Sequence, residues 1–133
     1  MITVGAPDYL VRRLPPAVPE DLAAHECVRY RYLSSGRTAR WMFRRDGRTL
    51  EVDVGGRFIV NDAEAEIDLA RRGFGLVQTL QSLVEDDLAS GRLVQVLADC
   101  AMPLSAMHLY FPSRAQMPAR LRVFIDHFQA ANG

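Results

Sequence analysis

Residues 57–80 read RFIVNDAEAEIDLARRGFGLVQTL, and this stretch decides the fold. Arg57 to Val60 has the composition of a short strand. Asn61 is then expected as a helix N-cap, with Glu64 three residues on completing a capping box. Ala63, Ile67 and Ala70 fall on one face of the helix that follows. Gly73 can stop it in the left-handed conformation. Gly75 to Leu80 is a second short, buried strand. Strand, capped helix and strand in succession predict an α/β domain with a mixed, mostly parallel sheet.

The pattern extends in both directions. Upstream, Trp41 and Phe43 lead to Arg45-Asp46-Gly47-Arg48, and Leu50, Val52 and Val54 follow at a period of two. An Asp-Gly pair between two such runs marks a hairpin, because a type I′ turn needs positive φ at both central residues. Gly55-Gly56 is a further turn. Cys27 to Tyr32 reads as a strand with Val28, Tyr30 and Tyr32 on one face, and Leu33 to Gly36 as a loop. Pro15 to Pro19 is extended, and Pro19 to His25 a short helix with acids in its first turn. Met1 to Ala6 is an apolar strand stopped by Pro7. Downstream, Ser82 and Glu85 suggest a second capping box, opening a helix that Gly91 ends. Leu93 to Leu97 and Met107 to Phe111 read as strands. From about Pro118 to Ala131, Leu121, Phe124, Ile125 and Phe128 follow helical spacing.

Composition narrows the function. The chain has 133 residues, 49% of them hydrophobic, enough for one folded domain with a core. Its 16 basic residues balance 16 acidic ones, so no broad basic face is expected to bind nucleic-acid backbones. Every basic residue is arginine, which reads as compositional bias. No signal peptide or membrane-length apolar run is visible, and a cytoplasmic location is expected. Cys27 and Cys100 lack CxxC spacing and suit a reducing compartment, as small core residues.

No catalytic constellation emerges. Ser34 and Ser35 lie in a loop without a GxSxG frame. His25, His108 and His127 stand in three unlike settings, and no His, Cys, Asp and Glu cluster has metal-ligand spacing. No cofactor is expected. Gly73-Phe74-Gly75 follows a helix and enters a strand, the reverse of a dinucleotide fingerprint. Asp86-Asp87 reads as a solvated helix face. One kind of site remains: open α/β sheets bind ligands beyond the carboxyl ends of their strands. Those ends carry Ser34 and Ser35, Asn61 and Asp62, and Gln78 and Thr79. Helix starts nearby offer free N–H groups and a positive dipole end, so a small carboxylate is one expected ligand.

An ordered set of motifs goes further. Ala6-Pro7-Asp8-Tyr9-Leu10 (AP-x-YL), Pro19 to Cys27 (P-x-DL-xx-H-x-C), Trp41-Met42-Phe43 with Gly47 (W-x-F-xxx-G), Val60-Asn61-Asp62, Gly73-Phe74-Gly75 (G-x-G), Gly91 to Leu97 (GRL-V-x-VL), Tyr110-Phe111-Pro112 and Arg120 to Asp126 occur in sequence. Together they resemble the effector-binding domain of LysR-type transcriptional regulators, over nearly the whole chain. The resemblance implies a periplasmic-binding-protein-like (type II) fold in which two α/β lobes hold a small effector between them. Residues from about 7 to 101 would be the second lobe, 1–6 and 105–112 the crossing strands, and 117–131 a helix returning to the first lobe. This would be an incomplete two-lobe effector domain, with the winged helix-turn-helix and most of the first lobe outside it. DNA would be reached only through that missing head, with no membrane contact. Leu121, Phe124, Ile125 and Phe128 would need a partner surface, each worth roughly 1.5–3 kcal/mol when buried, which predicts a homodimer or higher homo-oligomer. Where the family often has proline after the G-x-G strand, this chain has Val77-Gln78-Thr79-Leu80. The alternatives are a stand-alone solute-binding lobe of a transport system, or an enzyme on the same fold.

Overall fold

A computed structural model describes residues 1–103 of the protein. Its strands are β1 (Ile2–Gly5), β2 (Arg29–Tyr30), β3 (Trp41–Arg45), β4 (Arg48–Val52), β5 (Ile59–Val60), β6 (Val77–Thr79) and β7 (Val94–Val96). Its α-helices are α1 (Pro7–Arg12), α2 (Ala63–Arg71) and α3 (Glu85–Ser90). Three short 3-10 helices span Pro19–Ala24, Gln81–Leu83 and Ala98–Cys100.

β1 lies between β6 and β7 and is antiparallel to both, so β6 and β7 run in the same direction. β2 pairs in parallel with β5. A parallel bridge joins Cys27 to Leu76, with Val28 N–H donating to the Leu76 carbonyl at 2.8 Å and Leu76 N–H to the Glu26 carbonyl at 2.9 Å. β5, β2, β6 and β7 therefore share one direction, and β1 alone opposes them. The sheet is mixed and mostly parallel, as expected.

Alternation along the strands splits the core in two. Ile2, Val4 and Val77 pack with Ile67 and Ala70 of α2 and with Val84 and Leu93. Leu76 and Val96 pack with Tyr9, Leu22, Trp41 and Phe43 on the other face. The hairpin forms in the expected register, and its turn residues Asp46 and Gly47 both have positive φ, 54° and 74°. Met42 is buried along with Trp41 and Phe43, so β3 is covered on both faces rather than alternating with solvent.

Several local expectations are corrected. The cap of α2 is Asp62, not Asn61: its carboxylate accepts the Ala65 N–H at 3.1 Å. Ser82 lies in a 3-10 turn, and α3 starts after Val84 without a side-chain cap. Pro7 does not merely stop β1; it opens α1 from a first-turn position, where its missing N–H costs nothing. The helix after Pro19 is 3-10. Asp87 is not solvated. It is buried, with Arg71 Nε and Nη2 donating to its two oxygens at 2.8 and 2.9 Å.

Gly73 and Gly91 end their helices with φ of 80° and 79°. Gly75 serves a different need: a Cβ there would lie 2.7 Å from the Glu26 carbonyl oxygen, so the residue lets β2 approach β6. The expected strand at Met107 to Phe111, the helix from Pro118, and His108 and His127 lie outside the described residues.

Candidate functional site

Because four strands share a direction, the segments that follow them leave the sheet at one carboxyl edge. Tyr30 is paired with Val60, and the Arg31 N–H donates to the Val60 carbonyl at 2.7 Å. The segments leading to Ser34 and Ser35 and to Asn61 and Asp62 therefore leave adjacent strands. Tyr32 to Gly36 forms a closed turn, with Gly36 N–H on the Tyr32 carbonyl at 2.9 Å. Ser34 and Ser35 are exposed on it, and Ser35 Oγ accepts the Arg37 N–H at 3.2 Å. Tyr30 and Tyr32 meet edge-on beside this turn, ring centroids 5.6 Å apart.

Asn61 and Asp62 are both exposed. Asp62 changes the electrostatics expected here. Its carboxylate already takes one free N–H of α2, and Glu64 and Glu66 add acid to the first turn. The positive dipole end is thus met by the chain's own carboxylates. An anion has little to gain at this helix start.

Gln78 and Thr79 differ from the other four by being buried. Alternation puts their side chains on opposite faces of β6. The Gln78 amide reaches the hairpin: Met42 N–H donates to its Oε1 at 2.9 Å, and its Nε2 donates to the Met42 carbonyl at 3.0 Å. That pair works as an extra rung tying β3 to the sheet. Thr79 is fully buried opposite Ile2, and its Oγ1 has no hydrogen-bond partner among the described residues. An unpaired buried hydroxyl costs about 1–3 kcal/mol. The structure thus brings Ser34, Ser35, Asn61 and Asp62 to neighbouring exits, and places Thr79 beyond β2, at the end of β6.

His25 behaves as a packing residue. Its backbone N–H closes the 3-10 helix on Leu22, and its Nδ1 lies 2.7 Å from the Tyr9 hydroxyl. Burial, then the Arg13 charge, lowers its pKa. Cys27 is a core thiol pushed by burial to about 12. Among the described residues there is no cluster of three or more potential metal ligands, and no helix is long and apolar enough to cross a membrane. The Gln78 rung and the Arg71–Asp87 pair were not visible in the sequence, which carries no local signal for either.

Comparison with known proteins fits this architecture. The family model described as "LysR substrate binding domain" matches residues 1–133. The chain is 33% identical over 127 residues to the uncharacterized HTH-type transcriptional regulator YcaN of Escherichia coli, covering 96% of this chain and 41% of that protein. It is 32% identical to the E. coli HTH-type transcriptional regulator PgrR, covering 97% of this chain and 43% of that protein. It therefore spans about two fifths of these relatives. A shorter E. coli protein, the putative LysR family substrate binding domain-containing protein YagP, is 30% identical and matches over 77% of this chain and 76% of its own length. In fold, the chain is similar to the regulatory domain of AphB from Vibrio vulnificus (TM-score 0.67, 24% identity, 98% of this chain and 63% of that one). It is also similar to the regulatory domain of CrgA from Neisseria meningitidis (TM-score 0.68, 22% identity, 99% and 64%). With the family's motifs in order and its sheet in place, the chain belongs to the LysR substrate-binding domain family, the effector-binding part of LysR-type transcriptional regulators.

Proposed function

We propose that this domain senses a small-molecule effector at the carboxyl edge of its sheet and passes occupancy on through a homo-oligomer of a cytoplasmic transcriptional regulator. DNA contact belongs to a separate part of such a regulator, and the domain itself catalyses nothing. The observation that carries the reading is the shared direction of β2, β5, β6 and β7. It gathers hydroxyl and amide groups at one edge, in a chain whose relatives are HTH-type regulators.

Ser34, Ser35 and Asn61 supply exposed polar contacts, the Tyr30–Tyr32 pair an aromatic wall, and Thr79 a donor freed of competing partners. Asp62 and Gln78 line the same edge and hold it, by capping α2 and bracing β3. In this reading residues 7–101 act as one lobe closing against another, with 1–6 as a crossing strand. The transport alternative is not favoured by the family match.

The test is thermal melting against small carboxylates, aromatic acids, amino acids and neutral polar metabolites. A true effector at about a hundred times its dissociation constant raises stability by roughly 2.7 kcal/mol. The shift disappears in Ser34→Ala and in Thr79→Val if the edge is the site. A shift that survives both changes moves the effector elsewhere. Sedimentation checks the oligomer: a monomer at every concentration refutes it.

A further inference from the structure

The opposite edge of the sheet holds a cavity. It has a volume of about 520 Å³ and is walled by Arg12, Arg13, Arg57 and Arg72, with Glu26 and Phe74 and with Tyr9 and Gly73 between them. Arg57, Glu26 and Phe74 each stand just before β5, β2 or β6, and Arg12 and Arg13 at the end of α1. The cavity therefore sits at the amino ends of the strands, across the sheet from Ser34 and Thr79.

Two of its arginines are held in a way that keeps their charge available. Arg12 Nη2 donates to the Gly73 carbonyl at 2.7 Å, and Arg13 Nη1 to the Ala24 carbonyl at 2.8 Å. Neutral acceptors orient these two guanidiniums without cancelling them. Arg72 is paired with Asp68 at 2.9 Å, and Arg57 with Glu26 at 3.8 Å. Two carboxylates, Asp68 and Glu26, thus answer Arg72 and Arg57, while Arg12 and Arg13 face only neutral carbonyl oxygens. Guanidinium forks match the oxygens of phosphate and carboxylate groups. Phe74, half exposed and packed at 5.3 Å on Phe58, gives the cavity an apolar side.

We propose that this cavity is a second binding site, for a small, multiply charged oxyanion: a phosphate ester or a polycarboxylate. Such an anion bridges Arg12 and Arg13 at the end of α1 to Arg57 and Arg72, and so ties α1 to the segments before β5 and after α2. The site stands independently of the effector site, with which it shares no residue.

Calorimetric titration of the chain with inorganic pyrophosphate and, separately, citrate tests it, at constant ionic strength with chloride as control. Binding of either anion is expected to weaken about tenfold or more when a charged hydrogen bond is lost in Arg13→Gln or Arg57→Gln. Glu26→Gln removes the opposing charge and tightens binding a few-fold; its amide oxygen still accepts the Arg57 N–H that Glu26 Oε2 takes at 3.2 Å. Ser34→Ala and Thr79→Val leave it unchanged. Tighter pyrophosphate assigns a phosphate ester, tighter citrate a polycarboxylate. No binding of either, equal binding in the two arginine variants, or loss in Ser34→Ala overturns the proposal. The thermal panel at Ser34 and Thr79 reads the other edge, so each site can fail without the other.

Discussion

The two edges of this sheet are built on opposite principles. The carboxyl edge mixes both signs: hydroxyls at Ser34 and Ser35 flanked by Arg31 and Arg37, then Asn61 and the Asp62 cap with acids behind it. The amino edge is a ring of arginines, two of them anchored by carbonyl oxygens. At the first, the helix start is answered by the chain's own carboxylates; at the second, positive charge is left for something else to answer. The comparison teaches that a helix N-terminus after a parallel strand does not make an anion site by position alone. The first-turn residues decide it.

Substitutions at each edge sharpen the contrast. The largest effect is expected at Gln78, beside the carboxyl edge. Gln78→Ala strands the buried Met42 N–H and carbonyl and should cost about 4 kcal/mol; a denaturant midpoint close to the native one would show that the hairpin needs no rung. At the amino edge, Gly75→Ala forces a methyl against the Glu26 carbonyl and should cost about 2–3 kcal/mol of packing.

Away from both edges, Asp87→Asn should cost about 2 kcal/mol at neutral pH. Arg71, foremost through its hydrogen bonds, holds the Asp87 carboxyl below its ordinary range. That contribution is complete above the carboxylate's unfolded pKa and disappears as pH falls through the lowered folded value. Asp87→Asn should therefore flatten the acid limb of the stability profile, and an unchanged limb would assign it to other carboxylates.

Thr79→Val should go the other way, stabilising the unliganded domain by about 1 kcal/mol while removing effector binding. Destabilisation would mean that the hydroxyl is already satisfied. Arg13→Gln is expected to shift melting by no more than about 0.5 kcal/mol, although it weakens anion binding; a larger loss would make Arg13 a structural clamp.

What could be read from the sequence follows the range of the interactions. The Asp46-Gly47 turn and the helix stops at Gly73 and Gly91 were legible because positive φ is a local demand. The shift of the α2 cap from Asn61 to Asp62 is a one-residue ambiguity between two competent caps. Helix α1 was missed because Pro7 was read only as a breaker. The six candidate site residues were placed from strand ends alone. Strand ends carry no signal for Gln78 turned to Met42, or for Thr79 buried with no hydrogen-bond partner for its hydroxyl among the described residues. The arginine cavity was invisible for a related reason: Arg12, Arg13, Arg57 and Arg72 are far apart in the chain, and in a sequence whose only base is arginine they do not stand out.

The central position of β1 has a consequence in time. Ile2 pairs with Thr79, and Thr3 with Val96, so the middle strand of the sheet waits for partners made almost a whole domain later. During synthesis Ile2 to Gly5 must stay unpaired until β6 and β7 emerge. Such long-range closure predicts slow folding, governed by the return of β6 and β7 to β1 rather than by the hairpin, which can form early by itself.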